Sequence, residues 1–239
     1  MNRFCAAIVI VLITGLLTFT ESLSAEPVQY RAEYGARYKS RNVGTSVFSL
    51  ERTDSGEYVF SSNMRAKGLL RFASPRPIID RSEFSLDGDA IIPNRFAHED
   101  GSRKGEDNHT IEFDWGGASA TVSGDGYSRD IALTGGVLDR GTLQVALMLT
   151  LANGDQPETF EVLDENAVDT YAYEFEGEHT IETEMGEIDV LRYRQQRAGS
   201  SRYTIIDLAP SLDYVPARIE QMRDGESRSA FLIESIERL

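Results

Sequence analysis

From Val28 to Tyr38 the chain alternates without a break. Val28, Tyr30, Ala32, Tyr34, Ala36 and Tyr38 take one phase, and Gln29, Arg31, Glu33, Gly35 and Arg37 the other. A period of two sustained over this length predicts a strand with one buried and one wet face, as antiparallel sheets have. The same beat returns in Tyr58/Phe60/Ser62/Met64/Ala66, in Ile111/Phe113/Trp115 and in Tyr171/Tyr173/Phe175. Turn residues separate these runs: Asp54-Ser55-Gly56, Asp87-Gly88, Asp100-Gly101, Gly116-Gly117, Gly124-Asp125-Gly126 and Asp224-Gly225. Gly and Asp tolerate the positive φ of tight hairpins. The spacing gives roughly a dozen strands of the kind found in sandwiches and barrels. No repeat, linker or break in composition divides them, so residues 26–239 are expected to form a single β-rich domain.

One segment departs from the beat. In GTLQVALMLTLANG, residues 141–154, Leu143, Leu147 and Leu151 form one stripe, and Val145, Met148 and Ala152 another. Ala146 and Leu149 fill the space between the stripes, Asp139 is placed to cap the start, and Gly154 and Pro157 to stop the end. A helix apolar all round must be covered on most sides. At ~18 Å it is a plug rather than a membrane span. A flat sheet covers one side of such a helix; a bent one covers most of it. The expected fold is therefore mainly β, a large, strongly curved antiparallel sheet or open barrel around one central α-helix at about 141–153. A helix wedged at the end of a closed sandwich is the alternative.

The first residues, MNRFCAAIVIVLITGLLTFTESLSAEP, carry the parts of a secretory signal: Arg3, an apolar stretch Phe4–Phe19, and small residues at Ser22, Ser24 and Ala25. That stretch is shorter than the ~20 residues needed to span a bilayer. A signal peptide over 1–25, cleaved near Ser24/Ala25, is expected, giving a periplasmic protein with no transmembrane anchor after cleavage. The single cysteine, Cys5, lies inside the apolar stretch, so a lipoprotein is not expected and the exported chain has no disulfide. At about 215 residues it can bury a core without one.

Charge narrows the partners. The formal net charge is −15, and no basic stripe with interleaved aromatics relieves it, which excludes nucleic acid as a natural partner. His98, His109 and His179 lack any close metal-ligand spacing, although His98 and His109 flank one predicted hairpin. No GxSxG elbow or phosphate-cradling Gly loop is present. No catalytic residue, cofactor or metal ligand is assigned, and no enzyme activity is expected.

From Gly141 to Leu191 there are thirteen Asp or Glu and no Lys or Arg, followed by Arg192, Arg194, Arg197 and Arg202. An acidic face for a basic partner or for Ca²⁺ is one reading. The simpler one puts GEIDV and RYRQQR on neighbouring strands whose charges pair across the sheet. A basic stretch, 64–81, holds Arg65, Lys67, Leu69, Leu70, Arg71 and Phe72 ahead of Pro75 and Pro77. Its apolar residues either guard a cavity mouth and touch an anionic headgroup, or fold inward as a lid. The inward aromatics Tyr30, Tyr34, Tyr38, Phe60, Tyr171 and Tyr173 would line any space the sheet encloses, and their hydroxyls need partners. Two functions follow: binding a lipid or acyl ligand in the concave face, or a structural role with a filled core and an envelope protein as partner.

The order of features resembles a bacterial envelope family known as domain of unknown function 3108. The matching segments are the Tyr-x-Ala-x-Tyr strand, NVGTSVFSL, AKGLL, LDGDAIIPNRF, IEFDW, the helix after TGGVLDRGTLQVAL, TEMGEIDVLRY and DYVPARIEQMRDGESRSAFLIESI. At DRGTLQ the chain departs from the Asp-x-x-Ser element expected there. The resemblance implies an exported β-rich protein of unassigned activity. By fold analogy, a curved sheet around a helix is similar to periplasmic lipoprotein carriers.

Overall fold

Asp224 and Gly225 both adopt positive φ, 55° and 76°, the backbone a two-residue hairpin turn of matching twist requires. Gly56 and Gly88, at φ 89° and 59°, do the same for two other hairpins. In the computed structural model, which describes residues 25–39, 41–72 and 74–239, every turn expected from sequence falls between two strands. The signal peptide expected over 1–25 lies, but for Ala25, outside the described residues.

Fourteen strands form one sheet. They are β1 (Tyr30–Tyr38), β2 (Arg41–Arg52), β3 (Tyr58–Ala66), β4 (Ile78–Asp87), β5 (Ala90–Glu99), β6 (His109–Asp114) and β7 (Ser119–Gly124). After β8 (Tyr127–Ala132) comes the helix α1 (Arg140–Ala152), then β9 (Thr159–Leu163), β10 (Val168–Thr183) and β11 (Gly186–Arg197). The chain ends with β12 (Arg202–Ala209), β13 (Val215–Arg223) and β14 (Glu226–Arg238). The spatial order is β8-β7-β6-β5-β4-β3-β2-β1-β14-β13-β12-β11-β10-β9. Two antiparallel meanders are thus seamed where β1 pairs β14.

The sheet is not closed: β8 and β9 are its edges, and α1 is the connection between them. Side chains bridge the gap instead. Tyr127 donates to Glu165 at 2.9 Å and Arg129 to Asn166 at 2.9 Å. Leu138 forms an isolated bridge with Val162. Leu133, Val137 and Leu163 pack with Phe96, Ile111, Ala120 and Val122 into a small second core beside the gap.

The main core is the concave face against α1. All helix residues from Gly141 to Leu151 are buried except Gln144 and Thr150, which are half-buried. Asp139 caps the helix, accepting from the backbone N–H groups of Gly141 and Thr142 at 2.8 and 2.9 Å. The Thr142 hydroxyl accepts from the Asp139 N–H at 2.8 Å, a reciprocal capping box. Thr142 therefore does the work of the serine expected at that point. The Asp139 carboxyl is fully buried, and burial raises its pKa against the lowering effect of its hydrogen bonds. Ser82 donates to it at 2.5 Å from β4. A Cβ on Gly141 would collide with Ser82 Oγ and Phe60, so glycine there lets the helix close on the sheet.

One reading of the charges is corrected. GEIDV and RYRQQR are not neighbouring strands but one strand, β11. The arginines pair with other strands: Arg192 with Asp207 of β12 at 2.7 Å and Arg197 with Asp169 of β10 at 2.9 Å. The β10–β11 hairpin carries a bulge at Phe175/Gly177 that shifts its register. Beyond it the hairpin lies against β14.

Candidate functional site

The helix does not sit evenly within the sheet. It packs on β3, β4, β5 and β9, and space remains between it and strands β11–β13. Three strands facing that space carry the same inward sequence. On β11 it is Tyr193, Gln195, Arg197; on β12, read backwards, Ile206, Thr204, Arg202; on β13, Ile219, Gln221, Arg223. The register aligns them. Tyr193 pairs with Ile206 and Ile206 with Ile219; Gln195 pairs with Thr204 and Thr204 with Gln221; Arg202 pairs with Arg223. Side chains two apart share a face of a strand, so the concave wall passes from hydrocarbon through amide and hydroxyl to guanidinium over two steps.

The space has two adjoining parts. An inner chamber of about 260 Å³ is lined by Leu143, Gln144 and Leu147 of the helix, Val162, Tyr173, and the Ile206/Ile219 tier. An outer cleft of about 760 Å³ adjoins it, lined by Arg140, Arg197, Arg202, Arg223 and Arg228, with Asp164 the one carboxylate among the described lining residues. Arg140, Tyr171, Gln195, Thr204 and Gln221 border both. Ligand sites commonly occupy ~300–1,000 Å³, mostly apolar with a few placed polar groups.

The electrostatics run against the rest of the chain. Five arginines converge on the cleft of a protein with net charge −15. Four have partners: Arg197 with Asp169 at 2.9 Å, Arg140 with Asp80 at 3.5 Å, and Arg223 and Arg228 with Asp224 and Glu226 at 3.6 Å. Such solvent-exposed pairs are weak and exchangeable. Arg202 has no ion pair among the described residues. Arg140 occupies the first turn of α1, where the helix dipole disfavours a cation. Its position is therefore not explained by helix stability.

Polar groups line the middle tier. Gln195 donates to the Tyr173 hydroxyl at 2.5 Å and Ser229 to Gln221 at 3.0 Å. Gln144 Nε2 is buried without a partner at the chamber wall. Burial raises the Tyr173 pKa far above its ordinary value; burial, then Asp164 and Asp169, raise that of Tyr171. Both hydroxyls stay protonated and available to donate.

The residues singled out in the sequence separate into three groups. Tyr30, Tyr34 and Phe60 are core: the Tyr34 hydroxyl donates to the Pro216 carbonyl at 2.8 Å, and Tyr30 faces Met148. Neither tyrosine lines the cleft. Tyr171 and Tyr173 border the chamber, and Tyr38, half exposed, stands at the cleft rim. The third group lines neither part: Arg65 is the last residue but one of β3, Lys67 follows the strand, and Leu69, Leu70, Arg71 and Phe72 belong to an exposed 3₁₀ turn with no buried residue. The inward lid reading of that turn is thereby corrected: Leu69 and Phe72 are exposed, and backbone hydrogen bonds from Lys67 to Val43 and from Arg76 to Gly101 tie the segment to β2 and to the loop after β5.

His98 and His109 do face each other across β5 and β6, with ring centroids 5.2 Å apart. His98 Nδ1 meets Asp80 at 2.7 Å, and His109 Nδ1 the Asp107 carbonyl at 3.0 Å. Among the described residues no group of three or more His, Cys, Asp or Glu is placed to hold a metal ion. None of the described helices is long and apolar enough to cross a membrane.

The model of a family described as a protein of unknown function, DUF3108, matches residues 29–232. The chain belongs to the DUF3108 family. No curated protein matches the chain in sequence. Among solved structures, this DUF3108 domain is similar to a beta-barrel-like protein of domain of unknown function DUF1849 from Brucella abortus. The TM-score is 0.57 at 11% identity, over 90% of this chain and 99% of that one. It is also similar to MucB, at TM-score 0.36 and 8% identity, over 88% of this chain and 53% of that one. The first likeness shows the fold; the second carries no argument.

Proposed function

We propose that this DUF3108 domain is a non-enzymatic binding protein of the bacterial envelope whose ligand is an amphiphile with an anionic head and an apolar tail. One observation carries the reading: the aligned Tyr/Ile, Gln/Thr, Arg gradation on β11–β13, facing a chamber the helix leaves open. The tail would lie on Ile206, Ile219 and Leu147. The head would meet Arg202, Arg223 and Arg197, with Gln144 and Tyr173 supplying donors between. Arginine stays protonated and offers no base, so the charged groups of the cleft suit holding an anion rather than catalysing a proton transfer. The secretory features of residues 1–25 support an exported, periplasmic location.

The test is a fluorescence titration with a dansyl-labelled undecanoic acid below its critical micelle concentration. Saturable one-to-one binding is expected, weakening as salt is raised. Arg202→Gln with Arg223→Gln should weaken it about tenfold or more, since each charge-assisted contact is worth ~1.5 kcal/mol or above. The uncharged methyl ester should bind as weakly to the wild type as the acid binds to the variant. No saturable binding, or equal binding of acid and ester, contradicts the proposal.

A further inference from the structure

Four loops adjoin one another at the end of the sheet where the arginine cleft opens. In sheet order they join β4 to β3, β2 to β1, β14 to β13 and β12 to β11. Residues 66–78, 38–41, 223–226 and 197–202 together hold eight Lys or Arg and two acids, Asp224 and Glu226. At the opposite end, residues 52–58, 87–90 and 209–215 hold five acids and one Arg. These four loops are thus cationic against the chain's overall negative charge, while residues 99–109 and 163–168 at the same end add six acids and two cations.

These loops also carry the two most exposed large hydrophobics among the described residues, Leu69 and Phe72. Leu69 is 84% exposed, Phe72 78% and Leu70 48%, all on the 3₁₀ turn Gly68–Phe72. Backbone hydrogen bonds hold the turn out: Lys67 N–H donates to the Val43 carbonyl at 2.8 Å, Ser74 to Leu70 at 3.0 Å, and Arg76 to Gly101 at 3.1 Å. Water gains nothing from a preformed apolar tip, and Lys67 and Arg71 flank this one.

We infer that the 3₁₀ turn Gly68–Phe72, with the basic loops beside it, docks the domain on an anionic lipid bilayer. The geometry matches an interfacial anchor, in which a few large apolar side chains enter the headgroup boundary while cations stay at the phosphates. A protein interface is the poorer fit. Specific ones bury on the order of 1,000 Å² or more, and one five-residue turn offers three such side chains. Docked in this way, the cleft mouth would open toward the bilayer. That this delivers ligand to the cleft rests on the amphiphile-binding reading; the docking itself does not.

The test is flotation of the mature protein with phosphatidylcholine vesicles, with and without phosphatidylglycerol. Wild type is expected to float with the anionic vesicles and to be released by salt. Leu69→Ser with Phe72→Ser, both at exposed positions, should keep the far-UV circular dichroism and the solution binding of the dansyl acid. The same pair should lose vesicle affinity about tenfold or more, and Lys67→Gln with Arg71→Gln by a similar factor, at ~1 kcal/mol per cation. Equal flotation of wild type and the Leu69/Phe72 variant overturns the inference, as does flotation of neither. Vesicle docking without dansyl-acid binding would sink the cleft reading and leave the docking intact.

Discussion

The two halves of the concave face are made of similar strands and end differently. On β3 and β4 the inward residues are Tyr58, Phe60 and Phe84, large and uniform, with small Ser82 where the helix comes close. The helix seats there: Gly141 lies against Ser82 and Phe60. On β11–β13 the inward residues change from Tyr or Ile to Gln or Thr to Arg within two steps. No helix can seat on that gradation without burying amides and guanidinium groups at heavy cost. The filled half is therefore the fold's anchor, and the open half is free to do something else. A single helix shared unequally by one sheet produces both.

Truncations break or sharpen this contrast most strongly. Phe84→Ala, in the filled half, should cost ~3–5 kcal/mol in urea unfolding, because removing a fully buried ring leaves a cavity. Ile219→Ala, on a wall that already faces open space, should cost only ~1–2 kcal/mol, since little new void is made. Equal losses would mean that the two halves are packed alike.

A smaller effect has a sign that decides. Helix propensity alone makes Gly141→Ala stabilising by ~1 kcal/mol. The close approach to Ser82 and Phe60 instead predicts a loss of ~1–3 kcal/mol from overpacking. A gain on thermal unfolding would show that the helix is not pressed on β3 and β4.

Asp139 tests the same contact through pH. Asp139→Ala should cost ~1–2 kcal/mol as a lost cap. Asp139→Asn keeps the acceptor and should cost less. Because burial raises the native carboxyl pKa above its unfolded value, the native state holds the proton more tightly. The wild type's stability advantage over Asp139→Asn is therefore fully present below the unfolded pKa and is lost as pH rises through the native one. A difference between the two proteins that does not change with pH would refute the burial.

Much of the architecture was legible. Period two in Val28–Tyr38 and the Gly/Asp turns mark the strands, and the all-round apolarity of 143–152 demands a curved cover. Even the capping box was readable once Thr142 is allowed the role of serine. The site was less legible for physical reasons. Tyr30 and Tyr34 share their phase with Tyr38, and alternation shows only which face they occupy, not whether a helix already fills it. The decisive residues, Gln195, Thr204 and Gln221, with Arg197, Arg202 and Arg223, looked like solvated strand positions. The signal was present as a repeated order, YRQQR, RYTII and RIEQMR. It becomes visible only when the pairing of β11 with β12 and of β12 with β13 places those segments side by side.

Thr204→Phe measures the open half most directly. The new ring enters the chamber between α1 and β11–β13. Urea unfolding should change by less than ~1 kcal/mol, because the side chain fills existing space, while saturable binding of the dansyl acid is lost. A variant destabilised as a packed-core insertion would be, or one that still binds the acid like wild type, would contradict the account.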